Sequence, residues 1–311
     1  MKINYTAVLA MIIFTMATIQ IYSQTENNMT ITTVPKPSQS HMIKGGGNVN
    51  LAVQEWGNPT GKPVLFIHAW SQSHLGWLPQ LNSELATAHR LITFDLRGHG
   101  QSEVPSDPAS YTDAGLWADD INAIIEALEL DDVTLVAWSL GSLVAQNYIA
   151  KYGTGKLHAL NIVGGFNAFN IPRAQSHIGT LVGGSMTEMM APDLGTELNA
   201  TIATTKKLYV GQINGDALAF VVGYQMVTRP AVRYAMVTQV VDHEKTIRAL
   251  DIPLLLTHGA QDDISDVKSA KDAKSFNSTA KLSIYKKAGH APHAYDPARF
   301  NRELKTLVDL Q

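Results

Sequence analysis

A chain of 311 residues, 45% apolar and only 16% charged, has enough material for a large core and is not an intrinsically disordered protein. Its formal net charge of -3 and scattered basic residues offer no positive surface to nucleic acid or an anionic membrane. The absence of cysteine excludes disulfides, a lipidated cysteine anchor and thiol catalysis.

The N-terminus carries Lys2, an apolar run from Ala7 to Ile19 and small or polar residues at Ser23-Gln24. This is the pattern of a secretory signal peptide over residues 1–23. The run is shorter than the ~20 residues that span a bilayer, so the expectation is a secreted or periplasmic protein with no stable membrane span after cleavage. A start at Met29 or Met42 would instead leave a cytoplasmic form without the leader. Residues 24–45 read as a polar, proline-bearing leader, and Asn48 to Trp56 as a strand or hairpin arm.

Short buried runs then alternate with amphipathic stretches. Val64 to Ile67 reads as a strand, Leu75 to Ala88 as a helix and Leu91 to Phe94 as a strand. Trp117, Ile121, Ile124, Ile125 and Leu128 fall at helical spacing, with Thr112 or Asp113 as the cap. Val133 to Val136, a helix from Ser142 to Tyr152 and the strand Ala159 to Val163 continue the rhythm. Such alternation predicts an α/β domain, a mostly parallel sheet with helices on both faces. From residue 166 to 245 the alternation gives way to helices broken by glycine and proline, rich in apolar side chains such as Met186, Met189, Phe220 and Met236. A segment this apolar is expected to be a helical cap over the sheet's C-terminal edge. The core, residues 46–165, then resumes at 246–311 with strands Leu254 to Thr257 and Leu282 to Tyr285 and helices Val267 to Phe276 and Arg299 to Leu310.

One serine stands where a strand meets a helix. In Val136-Ala137-Trp138-Ser139-Leu140-Gly141-Ser142 the pattern is that of a nucleophile elbow with its first glycine changed to alanine. Serine also caps helices and fills turns, so Ser139 needs a base and an orienting acid to be a nucleophile. The loop after Leu254 to Thr257 supplies Asp262, with Asp263 and Asp266 beside it. The loop after Leu282 to Tyr285 supplies His290, with His293 as its competitor. Loops that follow parallel strands lie at one edge of the sheet, so Ser139, Asp262 and His290 are expected to meet there.

With these residues in place, the chain from about Asn48 to Leu310 resembles the alpha/beta hydrolase superfamily, whose triads run in the order Ser, Asp, His. Asp95-Leu96-Arg97-Gly98-His99-Gly100-Gln101-Ser102 resembles its strand-end loop, His68-Ala69-Trp70 its oxyanion loop, Gly259 to Asp262 its acid loop and Gly289-His290 its histidine loop. Trp70 after His68-Ala69 is similar to the branch of bacterial arylesterases and cofactor-free haloperoxidases or perhydrolases. The resemblance implies the alpha/beta hydrolase fold with a helical cap inserted before the last two strands. It also implies catalysis by Ser139, His290 and Asp262, and an oxyanion hole made by the backbone amides of Trp70 and Leu140. Asp262 holds the family's G-x-x-D position and His290 directly follows Gly289. Ala69 and Ala137 depart from the pattern, each adding a methyl where glycine is usual.

The remaining histidines read as structural: His68 and His99 as loop braces, His258 as packed at a strand end, His74, His89 and His243 as surface or cap residues. No H-x-x-x-H pair lies on a helix, and no lysine completes a phosphate loop after Gly45-Gly46-Gly47. Neither a metal nor another cofactor is expected. The leading expectation is therefore a serine hydrolase of carboxylic esters with small to medium acyl or aryl groups. The same triad could serve perhydrolysis, and a ligand-binding protein on a hydrolase scaffold is the non-enzymatic alternative. No feature of the sequence sets an oligomeric state.

Overall fold

The computed structural model describes residues 34–311; the stretch read as a signal peptide lies outside the described residues. In chain order the first half comprises β1 (Gln39–Lys44), β2 (Asn50–Gly57), β3 (Pro63–Ile67), α1 (Leu78–Leu81), α2 (Glu84–Ala88), β4 (Arg90–Phe94), α3 (Ala114–Ala127), β5 (Val133–Trp138), α4 (Leu140–Tyr152) and β6 (Leu157–Val163). An insertion follows, with β7 (Ala168–Phe169), α5 (Ser185–Glu188), α6 (Leu194–Leu208), α7 (Gly215–Gln225), α8 (Pro230–Met236) and β8 (Val241–Asp242). The chain then adds α9 (Glu244–Arg248), β9 (Leu254–Gly259), α10 (Lys268–Phe276), β10 (Lys281–Tyr285), α11 (Pro292–Tyr295) and α12 (Pro297–Val308).

Eight strands form one sheet in the order β1-β2-β4-β3-β5-β6-β9-β10. β2 is antiparallel to β1 and β4, and every pairing from β4 through β10 is parallel. Period-two alternation sorts the side chains onto two faces. Leu65, Ile67, Leu135 and Ala137 join the core beneath α3 and α4, whereas Val64, Phe66, Val136 and Trp138 join the core beneath α1, α2 and α12. Both faces of the central strands are thus dry, which is why these strands read as continuous apolar runs.

Three stretches differ from the sequence reading. The leader's last residues form β1, an edge strand with only Ile43 buried, so it lacks the apolar alternation that betrays a strand. Leu75 to Ala88 is a 3₁₀ turn (His74–Trp77) followed by two short helices, because Pro79 sits in the first turn of α1 and Ser83 caps α2 through Leu85 N at 3.2 Å. The helical insertion also contains a strand pair: Ala168 and Phe169 face Asp242 and Val241 across a two-residue antiparallel ribbon that closes its base. Asp113, one of the two expected caps, accepts from Gly115 N at the start of α3. No helix among the described residues is long and apolar enough to cross a membrane.

The loop after β4 is fastened to α3 by a buried ion pair. Arg97 bonds Asp120 through Nε at 2.8 Å and Nη2 at 2.7 Å, and Nη2 also reaches Gly46 O at 2.8 Å. Substituting Arg97→Met strands the Asp120 carboxylate in the core. Urea unfolding should show a loss of about 3–5 kcal/mol; a loss below ~1 kcal/mol would contradict this role.

Candidate active site

β5 runs straight into α4 through Ser139, which adopts φ 54 and ψ -121. A non-glycine residue pays for that geometry in strain, so the surroundings must hold it. Ser139 N donates to Val163 O at 2.9 Å, and Ser139 O accepts from Ser142 N at 2.9 Å and Ser142 Oγ at 2.6 Å. Gly141 lets the first turn of α4 lie against the end of β3: a Cβ there would sit 2.7 Å from both Ile67 O and His68 O. The two alanines are tolerated because neither has positive φ. The Ala137 methyl is buried in the core, in register with Ile67 and Ile162, and Ala69 lines the cavity in front of Ser139.

Asp262 and His290 come together as the order of strands requires. His290 Nδ1 lies 2.8 Å from Asp262 Oδ2, and Asp262 Oδ1 accepts from Ile264 N (2.9 Å) and Ser265 N (3.0 Å). The two loops touch backbone to backbone, since a Cβ on Gly259 would fall 1.9 Å from Gly289 O. Burial by itself would raise the Asp262 pKa, but His290 and His258 outweigh it and hold the carboxyl well below the usual carboxylate range. Asp262 is therefore an anion at neutral pH, which keeps the proton of His290 on Nδ1 and leaves Nε2 as the basic nitrogen. Asp263 is exposed, and Asp266 is engaged with Lys268, so neither competes for this position.

Ser139 and His290 line one small cavity, together with Ala69, Trp70, Trp138 and residues of the cap. Among the described residues neither Trp70 N–H nor Leu140 N–H is engaged in a hydrogen bond, so both amides expected to hold an oxyanion are free to donate. Leu140 is the first residue of α4, whose N-terminus adds its own partial positive charge. His293 stands apart from this chemistry. Its ring lies 4.5 Å from that of Trp77 and 4.6 Å from that of Trp138, and burial pushes its pKa down to about 3.

Several supporting residues were not evident in the sequence. Trp138, beside the nucleophile, donates its indole N–H to His290 O at 2.7 Å and so ties the histidine loop to the elbow. His258 does more than pack at a strand end: its Nε2 lies 3.3 Å from Asp262 Oδ2 and 2.7 Å from Ser265 O. The spacing His258 to Asp262 was its only sequence signal. Arg233 of α8 is fully buried and binds Ser71 Oγ (2.9 Å), Glu197 Oε1 (2.5 Å), Met189 O and Gln225 O (both 2.7 Å), while its own carbonyl accepts from Trp70 Nε1 at 3.0 Å. One arginine thereby joins three segments of the cap to the oxyanion loop.

His68 and His99 do brace loops. His68 Nε2 accepts from Leu96 N at 2.9 Å and His99 Nε2 from Ser71 N at 3.1 Å, with each Nδ1 facing a carbonyl. Both must be neutral to accept. The reading of His74 and His89 as surface or cap residues is corrected: His74 pairs with the buried Asp95 at 2.9 Å and His89 is buried near Asp309, whereas His243 does lie in the cap, buried at its base against Asn147 Oδ1 at 2.9 Å. Each lies where the fold brings separate segments together, which local polarity does not reveal. Among the described residues no group of histidines and carboxylates is arranged to hold a metal.

An alpha/beta hydrolase fold family matches residues 62–297, and the chain belongs to it. Among solved structures it is similar to the esterase RhEst1 from Rhodococcus sp. ECU1013, at 31% identity and a TM-score of 0.81 over 86% of this chain and 98% of that one. A candidate aryl esterase from Burkholderia cenocepacia is similar at 34% identity and a TM-score of 0.79, covering 87% and 98%. The non-heme chloroperoxidase CPO-A1 of Kitasatospora aureofaciens is 29% identical over 271 residues, 84% of this chain and 96% of that protein.

Four buried histidines set the acid limit of the fold. Burial lowers the pKa of His68 and His243 to about 4 and of His99 and His293 to about 3, against 6.5 for an exposed ring. Between those values the unfolded chain binds protons that the folded chain refuses, so stability is full above pH 6.5 and is lost as pH falls toward 4. The expected slope is on the order of 1.4 kcal/mol per pH unit for each such histidine. Denaturant unfolding from pH 7.5 to pH 4.5 measures it; flat stability over that range would contradict the neutral, accepting state of these rings.

Proposed function

We propose that this protein hydrolyses carboxylic esters through an acyl-enzyme formed on Ser139. The observation that carries the reading is the conjunction of Ser139 at a strained elbow with the His290–Asp262 couple on the same cavity. Ser139 Oγ attacks the acyl carbon while His290 Nε2 takes its proton. The carbonyl oxygen, now an anion, is held by Trp70 N–H and Leu140 N–H. Collapse returns the proton from His290 to the departing alkoxide and leaves the acyl group on Ser139. Water, deprotonated by His290, attacks that acyl group; the carboxylic acid leaves and Ser139 regains its proton. Asp262 stabilises the imidazolium at both stages without being protonated itself.

Met186 and Met189 reach the cavity from the cap, and these adaptable side chains suit small to medium acyl or aryl groups. The two esterase-like structures at 31% and 34% identity support the same reaction class. A second use of the triad has its own support in the similarity to a non-heme chloroperoxidase. Hydrogen peroxide in place of water would attack the acyl-enzyme and release a peroxycarboxylic acid. Bromination of a phenolic dye by the protein with acetate, peroxide and bromide tests that use. Export rests on the sequence of residues 1–23, and N-terminal sequencing of protein recovered outside the cytoplasm tests it.

Wild-type protein should hydrolyse p-nitrophenyl esters of short acids and react with a fluorophosphonate, and Ser139→Ala should do neither. Asp262→Asn should lower kcat by about 10⁴-fold, because it destabilises the imidazolium and the working tautomer. Removing the indole donor with Trp138→Phe leaves His290 O unpartnered and should lower kcat/KM about tenfold. A protein that labels and turns over equally well after Ser139→Ala would end this reading, and a pure ligand binder would show no labelling at all.

A further inference from the structure

An ester group carries only hydrogen-bond acceptors, yet the cavity in front of Ser139 presents acceptors of its own. Two glutamines line it, Gln225 from the end of α7 and Gln72 from the oxyanion loop, amid apolar Trp70, Met189, Leu208 and Ile264. Gln225 is fully buried and Gln72 is 2% exposed, and the side-chain oxygen of each has no hydrogen-bond partner among the described residues. Buried amide oxygens left unpaired are rare because the desolvation of the group goes uncompensated.

The orientation of Gln225 is set by chemistry. Its Nε2 lies 2.9 Å from Thr205 Oγ1, and the Thr205 hydroxyl hydrogen is already given to Thr201 O at 2.7 Å. Thr205 Oγ1 can therefore only accept, which requires the amide nitrogen of Gln225 on that side and leaves Oε1 on the other. The backbone is pinned as well, since Gln225 O accepts from Arg233 Nη2 at 2.7 Å. Among the described residues no lysine or arginine lines the cavity, so nothing there calls for an anionic group.

Resting on the ester-hydrolase reading, we infer that the preferred substrate is an ester bearing, besides the ester group, a neutral hydrogen-bond donor that docks on Gln225 Oε1. The donor is a hydroxyl or an amide N–H. The ester carbonyl is directed to Trp70 N–H and Leu140 N–H, which donate, and the second polar group is directed to Gln225 Oε1, which accepts. A substrate without the donor leaves Gln225 Oε1 unpaired in the complex, and discrimination by a missing hydrogen bond is stronger than discrimination by a missing methylene.

The test compares kcat/KM for matched p-nitrophenyl esters whose acyl chains differ only by a hydroxyl, or by an amide N–H in place of a methylene, at successive positions. The inference expects at least one donor-bearing ester to exceed its match by about tenfold or more. It also expects Gln225→Met to bring that ratio close to one, and Thr205→Val, which frees the amide to turn, to reduce it. The ratio is read within each variant, and thermal melts report whether each is folded. If plain esters are cleaved and no donor-bearing ester is preferred by the wild type, the inference is wrong while the ester-hydrolase reading stands. A preference that survives unchanged in folded Gln225→Met would equally overturn it. If no ester is cleaved and Ser139 is not labelled, the underlying reading falls and the inference with it.

Discussion

The backbone of Ser139 is the constraint on which the site depends. Holding a serine at φ 54 and ψ -121 costs about 1–3 kcal/mol, and no local preference of the sequence offsets it. The compensation comes from three directions at once. β6 accepts the Ser139 amide through Val163 O, the first turn of α4 returns two hydrogen bonds from Ser142 to Ser139 O, and Gly141 lets that turn rest on the carbonyls ending β3. These partners come from β3, β6 and α4, in the middle of an eight-stranded sheet. Held this way, Ser139 lines the cavity and makes no side-chain cap bond to α4.

Around that fixed point the fold separates charged from neutral groups. Asp262 receives two backbone N–H groups and two histidines, so its negative charge is stable although its side chain is buried. On the opposite side His68 and His99 remain neutral because burial suppresses their protonation, and their unprotonated nitrogens accept from the backbone amides of Leu96 and Ser71. The oxyanion loop is therefore shaped by neutral acceptors beneath it and by Arg233 above it. Since Arg233 also holds Glu197, Met189 and Gln225, cap and oxyanion loop form one hydrogen-bonded unit. The groups that tie the cap's segments together are thus the groups that hold the oxyanion loop at Ser71 and Trp70.

The alternation of short apolar strands and helices was enough to foresee the parallel sheet, because strands dry on both faces carry a strong apolar signal. Ser139, Asp262 and His290 were legible for a related reason: each follows a strand, and parallel strands deliver their following loops to one edge. β1 was not legible, since an edge strand with one buried residue looks like a polar leader. The break in Leu75 to Ala88 could have been read from Pro79 and Ser83, which outweigh the apolar spacing. Arg233, Trp138 and Gln225 carry no local signal. Their partners lie on other elements, and only the packing of the cap against the sheet edge gives an arginine, an indole and an amide their roles.

The central claim is that the strained serine becomes acylated. Rapid acid quench of the protein during turnover of an activated ester, followed by intact mass and peptide mapping, measures this directly. The account predicts one acyl group per chain, located on Ser139 and accumulating faster than it is released. Ester turnover with the acyl group on another residue, or with no covalent adduct at any time of quench, would contradict it.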